Sequence, residues 1–425
     1  MNFHAFRQAG HWPTLVAAFC YFAMSVMVWV VLGPLSLYLA QELQLSLADK
    51  FEIIAVAILS GALLRIPVGV LADYIGTKRT GVILQLIVIA GLLFAWLFGL
   101  HSKLEIEIFG IIVLGASGAG FAVAMPLASR WYPPHIQGIA LGIVGAGTVG
   151  VPISSLLVPS LAASFGWQSV FGILLVPVTL VFGLYLWTAK EAPVKPTPVT
   201  LPNYVAVVKD PDTWWFMFFY GITFGGFVGL GSTLPLYFAN WFHVSGITAG
   251  FMAAAVGFCG ALSRPLGGWV ADRIGGIRSL QFLFSLAGLA YLTVAFLPQG
   301  AAMPGAGTGV ADGWTITTMP GMAWVAMGIF FLGLAGLGMG NGAVFQLVPL
   351  RFRKEIGVMT GLVGAAGGLG GFVLAKTLGW SKASTGDFAV GFWICSALAL
   401  VGLIGVVGVR KRWRTTWGAV SGARV

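Results

Sequence analysis

Long apolar runs, most of them more than twenty residues, alternate along the chain with short polar breaks. A membrane-crossing helix needs about 20 such residues, and none of these runs shows the apolar–polar alternation of barrel strands. Hydropathy predicts twelve helices, at 14–40, 51–73, 80–100, 106–130, 137–163, 168–189, 213–239, 247–271, 278–298, 321–347, 356–378 and 387–409. The sixth and seventh are separated by Lys190–Asp212, which holds Pro193, Pro196, Pro198, Pro202 and Pro211. Proline removes a backbone donor and breaks helices, so this stretch reads as an aqueous connection. The expected organisation is therefore a six-helix half over 1–189, a linker over 190–212, a second six-helix half over 213–409 and a basic tail over 410–425. The first run follows Arg7 and has no small-residue cleavage site, so it is expected to be the first span and not a leader.

The two halves repeat each other. Gly61-Ala62-Leu63-Leu64-Arg65 continues through Gly69 to Asp73 and Gly76, and Gly260-Ala261-Leu262-Ser263-Arg264 continues through Gly268 to Asp272 and Gly275. The offset is 199 residues throughout, pairing Arg65 with Arg264 and Asp73 with Asp272. Each arginine stands eight residues before an aspartate at a predicted helix end. At about 1.5 Å per residue that is roughly 12 Å of depth in a hydrocarbon layer about 30 Å thick, near the level where two-half transporters bind their cargo.

A charge at that depth costs at least about 2.5 kcal/mol on insertion scales, so it needs a partner. The plain explanation, a buried acid beside each arginine, fails on inventory. All thirteen carboxylates fall at predicted helix ends or in loops: Glu42, Asp49, Glu52, Asp73, Glu105, Glu107, Glu191, Asp210, Asp212, Asp272, Asp312, Glu355 and Asp387. Guanidinium stays charged and offers a planar fork of donors suited to a planar oxyanion. Two such groups at equivalent depths predict one anion site between the halves.

Composition supports this frame. The chain has 425 residues, 58 % hydrophobic and 8 % charged, where soluble domains carry about 25 % charged residues. The net charge of +10 follows membrane topology and does not point to nucleic acid. With both termini inside, seventeen of the 23 Lys and Arg residues fall on the inner face, and only Lys50, Lys103, Lys376 and Lys382 on the outer one. The tail cluster Arg410, Lys411, Arg412 and Arg414 suits anionic headgroups of the lipid bilayer. Cys20, Cys259 and Cys395 share no metal spacing and read as core residues. His4, His11, His101, His135 and His243 lie near helix ends, so no metal and no cofactor is expected. The Gly- and Thr-rich loop Pro298–Pro320, with Asp312 as its one charge, reads as a plain connection.

Glycine-rich stretches lie in both halves, from Gly115 to Gly120 and Gly138 to Gly150, and from Gly336 to Gly342 and Gly357 to Gly371. Small residues four apart let helices meet closely, and without a Gly-Lys-Ser/Thr ending these are not phosphate loops. Gly69-Val70-Leu71-Ala72-Asp73-Tyr74-Ile75-Gly76-Thr77-Lys78-Arg79 and Gly268-Trp269-Val270-Ala271-Asp272-Arg273-Ile274-Gly275-Gly276-Ile277-Arg278 resemble the loop signature of the major facilitator superfamily at its two symmetric places. Gly338-Met339-Gly340-Asn341-Gly342 with Phe345-Gln346, and Gly357 through Gly364 to Phe372, resemble the nitrate signature of the nitrate/nitrite porter family of NarK-type transporters.

This resemblance covers essentially the whole chain. It implies an all-α membrane protein with the twelve-helix major facilitator fold in two pseudo-symmetric halves, moving nitrate and/or nitrite by alternating access. It implies that Arg65 and Arg264 clamp the anion, that Phe121, Tyr220 and Phe224 wall it, and that Thr148 and Asn341 donate to it. It further implies that Gly145 and Gly364 allow close rocking, while Gly69, Asp73, Arg79, Gly268, Asp272 and Arg278 serve the gates. Thr148 stands where these transporters carry asparagine, which bears on the choice between nitrate and nitrite. A monomer in the cell membrane is expected, and no enzyme, since the core has no nucleophile or carboxylate–histidine constellation. Nitrate/nitrite antiport is favoured over proton-coupled nitrate import, over a carrier of another small anion such as an organic carboxylate, and over a nitrate sensor.

Overall fold

The computed structural model describes residues 3–133, 137–193, 201–298, 321–352 and 356–421. Lys195, Pro196 and Pro198 of the linker, Asp312 with most of its loop, His135, Arg353, Lys354, Glu355 and Arg424 lie outside the described residues.

Among the described residues, twelve helices are long and apolar enough to cross a membrane. They are α1 Trp12–Glu42, α2 Leu47–Ile75, α3 Thr77–Phe98, α4 Lys103–Ser129, α5 Ile139–Phe165, α6 Trp167–Thr188, α7 Pro211–Phe242, α8 Gly246–Ile274, α9 Gly276–Ala295, α10 Gly321–Arg351, α11 Val358–Thr385 and α12 Ala389–Thr415. This is a multi-pass membrane protein. Twelve spans among the described residues put the segments before α1 and after α12 on one face, called here the terminal face. The opposite face is the far face.

The internal repeat is carried into the backbone. α2 and α8 begin and end at positions 199 residues apart. Ser46 and Ser245 cap their first turns by accepting from the amides of Asp49 and Thr248. Gly76 and Gly275 end them with φ of 101° and 97°, a region that only glycine enters without strain. Those two glycines set the tight turns into α3 and α9.

Several boundaries differ from the sequence expectation, and α11 runs to Thr385 where 378 is expected. The linker holds a helix, Leu201–Lys209, and α7 starts at Pro211. Pro202 and Pro211 occupy first-turn positions, where a missing amide proton removes no helical bond. α12 runs on through the basic cluster to Thr415, because the Trp413 side chain is fully buried and its indole donates to Asp212 at 2.7 Å. Arg351 and Arg412 also bind that carboxylate, which ties α7, α10 and α12 together at the terminal face. α1 is interrupted at Val30 and Val31, α4 loosens into a π-turn at Gly110–Leu114 and breaks at Ala119–Gly120, and α5 tightens into a 3₁₀ turn at Ala146–Val149. Cys395 is buried and Cys20 and Cys259 are half-buried; all three are free.

Within the second half, backbones meet directly. A Cβ at Gly338 would stand 1.9 Å from the Gly260 carbonyl oxygen, and one at Gly370 1.9 Å from the Gly221 carbonyl oxygen. Each obstacle is backbone on a packed helix, so relief requires the helices to separate. Gly370→Ala is expected to lower stability by about 1–3 kcal/mol, as overpacking does. Gly408→Ala, which meets nothing within 4 Å, is expected to leave stability unchanged or raise it slightly. Thermal unfolding of the purified proteins in one detergent checks the pair: Gly370→Ala melts several degrees lower and Gly408→Ala does not.

Candidate functional site

The two repeated arginines converge at the middle of the bundle. Arg65 is wholly buried and Arg264 is 6 % exposed. Arg65 Nε donates to the Gly118 carbonyl of α4 at 3.1 Å, and its Nη1 donates across the molecule to the Gly364 carbonyl of α11. Its Nη2 has no partner. Arg264 donates from Nη2 to the Tyr220 hydroxyl at 3.2 Å, and its Nη1 has no partner. Among the described residues neither arginine is in an ion pair. Each half therefore presents one buried, charged, unspent N–H-bearing nitrogen at the site.

Aromatic rings complete the walls. Arg65 Cζ lies 4.9 Å from the Trp29 ring, 4.9 Å from Phe121 and 5.4 Å from Phe224. Arg264 Cζ lies 6.0 Å from Phe224 and 5.6 Å from Phe345. Tyr220 and Phe224 are one helical turn apart on α7 and stack 5.0 Å apart at 7°. Phe345 meets Tyr220 edge-on at 5.1 Å and Phe121 at 6.5 Å. Desolvated cation–ring contacts are worth about 2 kcal/mol or more each, which partly offsets guanidinium burial without consuming its donors.

Glycine at two positions leaves room for the cations. A Cβ on Gly145 would stand 3.2 Å from Arg264 Cζ, and one on Gly364 would stand 2.8 Å from the Phe121 ring and 3.7 Å from Arg65 Cδ. Three residues toward the terminal face, Gly142 and Gly361 meet nothing within 4 Å. On the far side the halves touch repeatedly: Ala62 at Gly368, Ile58 at Gly371, Phe51 at Gly379, Pro152 at Gly257 and Pro159 at Gly250. The site thus lies at the base of a seam packed toward the far face, with open space beginning just on its terminal side.

The structure brings Arg65, Arg264, Phe121, Tyr220, Phe224, Gly145 and Gly364 together. Asn341 is buried with its Oδ1 unpartnered. Thr148 is buried in the 3₁₀ turn of α5, where its hydroxyl donates to the Gly145 carbonyl at 3.1 Å. That proton is spent within its own helix.

The residues expected to serve the gates lie at the terminal face. Asp73 pairs with Arg130 of α4 at 2.6 Å, and Arg130 also donates to Thr77 at 3.1 Å. Asp272 lies beside the Gln346 side chain of α10. Gly69 and Gly268 approach α4 and α10 at ordinary contact distance, and Arg79 and Arg278 are exposed beside the turns.

Sequence reasoning did not single out Trp29 or Phe345 as site residues. Phe345 carried a signal: Gly118 and Phe121 of α4 recur as Gly342 and Phe345 of α10, both at an offset of 224. Phe345→Ala removes the ring from Arg264 and Tyr220 while Phe345 itself is only half-buried. It is expected to weaken anion binding by roughly three- to tenfold, the size of one cation–ring contact. Equilibrium binding of anion to the purified variant, beside an unchanged elution profile, checks this.

Comparison with known proteins bears on the same residues. The family model described as Major Facilitator Superfamily matches residues 17–375. A protein named "Probable nitrate/nitrite transporter NarK2" from Mycobacterium tuberculosis (strain ATCC 25618 / H37Rv) is 32 % identical over 397 residues, covering 92 % of this chain and 95 % of its own length. The "Nitrite extrusion protein" of Bacillus subtilis (strain 168) is 29 % identical, covering 90 % of each chain. The "Probable nitrate/nitrite antiporter NarK1" of Thermus thermophilus is 28 % identical, covering 90 % of this chain and 88 % of its own. With twelve spans, a two-fold repeated backbone and relatives aligned nearly end to end, the chain belongs to the Major Facilitator Superfamily, among its NarK-type transporters.

Proposed function

We propose that this protein is a nitrate/nitrite transporter in which Arg65 and Arg264 hold one anion between the two halves. The observation that carries the reading is the pair of unspent buried nitrogens, Arg65 Nη2 and Arg264 Nη1. A buried donor without a partner costs about 1–3 kcal/mol, and more when charged. A small planar oxyanion satisfies both at once and neutralises one of the two charges. Stacked Tyr220 and Phe224 give the flat wall that a planar ion fits, with Phe121 and Phe345 facing them. The relatives' names give the class of anion.

Transport follows from the halves acting as bodies, 1–189 and 213–409, joined by the 190–212 linker. In this structure they are packed on the far side of the site. Rocking about the arginines exposes the site to the other face, and Gly145 and Gly364 let the cations pass at close range. The Asp73–Arg130 pair fixes the terminal helix ends in the first half, and Asp272 beside Gln346 takes the matching place in the second. The Lys and Arg distribution supports a cytoplasmic terminal face, and the bacterial relatives support a cell membrane. One chain supplies both arginines, so the monomer suffices. The reading is of a carrier, with no catalysed reaction and no nucleic-acid partner.

Exchange of nitrate for nitrite is the mode the charges favour. Among the described residues every Asp, Glu and His lies in the outer turns of a span or outside it, away from the arginines. No side chain there holds a proton in place of the anion. Arg65 and Arg264 Cζ lie 5.4 and 6.0 Å from the same Phe224 ring, and like charges that close repel by on the order of 1–2 kcal/mol at an effective dielectric near 20. The loaded carrier therefore changes face more readily than the empty one.

Two outcomes are expected. Arg65→Lys and Arg264→Lys keep the charge and lose the planar fork, so each lowers anion uptake roughly 10- to 100-fold at unchanged membrane abundance, the worth of one charge-assisted hydrogen bond. Near-normal uptake by both variants contradicts the two-arginine site. In proteoliposomes, internal nitrite should accelerate nitrate entry several-fold. Gradient-driven nitrate accumulation in nitrite-free vesicles, with no gain from internal nitrite, contradicts obligatory exchange.

A further inference from the structure

The halves meet along two seams related by the internal repeat. In one, α2 lies on α11, with Arg65 at Gly364, Ala62 at Gly368, Ile58 at Gly371 and Phe51 at Gly379. In the other, α8 lies on α5, with Arg264 at Gly145, Gly257 at Pro152 and Gly250 at Ser155 and Pro159. Both begin at a guanidinium and run to the far face over small residues. Among the described residues only the first ends in an ion pair between the halves.

There Glu52 of α2 accepts from Lys376 of α11 at 2.5 Å, across the halves, and from Lys103 of α4 at 2.7 Å, within its own half. Lys103 is held in turn by Asp49 at 2.6 Å and by Glu107 at 3.7 Å. The repeat places Phe251 opposite Glu52 at the offset of 199, and Leu157 opposite Lys376 at the offset of 219 that relates Gly364 to Gly145. Phe251 and Leu157 are 41 % and 43 % exposed, apolar and unable to form such a bridge.

We propose that Glu52–Lys376 is an electrostatic latch that holds the far face of the carrier closed. The inference rests on the reading of the halves as rocking bodies and is independent of which anion is carried. Its geometry suits a reversible catch. When the seam parts, Glu52 keeps Lys103 as its partner, so no carboxylate is left uncompensated. Only Lys376 is released, and its ammonium is already part-exposed to water. Opening therefore breaks one screened ion pair and strands no charge.

The test reads opening directly. Ser155, 1 % exposed and set in the other seam on the far side of the arginines, becomes reachable only when the far face opens. In a background with Cys20, Cys259 and Cys395 replaced by serine, Ser155→Cys is labelled with a maleimide in nanodiscs without nitrate or nitrite. Lys376→Gln is expected to speed labelling roughly two- to fivefold, the range of an exposed ion pair, and Lys376→Arg to keep the parental rate. Raising ionic strength should speed labelling of the parent and leave Lys376→Gln unmoved. Equal rates for the parent and Lys376→Gln overturn the latch, as does a parental rate indifferent to salt. The salt series needs no second substitution, so it decides the matter even where Lys376→Gln does not fold.

Discussion

Two guanidinium groups buried in the middle of a membrane protein, each with a buried N–H-bearing nitrogen unspent, are the constraint around which the rest of the molecule is arranged. Lysine could shed its proton in such a place, whereas arginine cannot. The protein meets that constraint in pieces. Backbone carbonyls of Gly118 and Gly364 take two of the donors of Arg65, and the Tyr220 hydroxyl takes one from Arg264. Ring faces supply attraction without using donors. What remains unsatisfied is small, planar in its demands and shared between the halves, and that remainder is the proposed binding site.

The repeat makes the site possible and its departures make it specific. At the offset of 199, Tyr220 and Phe224 correspond to Tyr21 and Ser25. Tyr21 packs on Tyr185 at 4.9 Å, and the Ser25 carbonyl accepts from Ser117 at 2.8 Å. The flat aromatic wall is thus supplied by α7 alone. Arg65 reaches across the molecule to Gly364, while Arg264 is held within its own half. The hydrogen bond from Arg65 and the Glu52–Lys376 ion bridge that cross between the halves thus lie along a single seam, that of α2 and α11.

Much of this was legible in the chain, and the reasons differ by residue. The spans are set by hydropathy, and their depth follows from the spacing of Arg65 to Asp73 and Arg264 to Asp272. The proposed anion site follows from an inventory, since all thirteen carboxylates fall at predicted helix ends or in loops. Helix ends were less legible where tertiary contacts override local character. The basic run after Val409 looks like a free tail, yet burial of Trp413 against Asp212 carries α12 through it. Linker prolines look like breakers, yet Pro202 and Pro211 sit in first turns. Trp29 and Phe345 were missed because a ring's contact with a distant cation depends on how helices are rotated, which periodicity does not report. The orientation of Thr148 was hidden for the same reason: a 3₁₀ turn in α5 directs its hydroxyl to Gly145.

The central claim is that one planar anion satisfies Arg65 Nη2 and Arg264 Nη1 together. An experimental structure of the protein saturated with nitrate tests it most directly. The account predicts planar density flanked by the two guanidinia, against the Tyr220–Phe224 stack, with an oxygen within hydrogen-bond distance of each of those nitrogens. Nitrate bound elsewhere, with both nitrogens still unpaired, would contradict it.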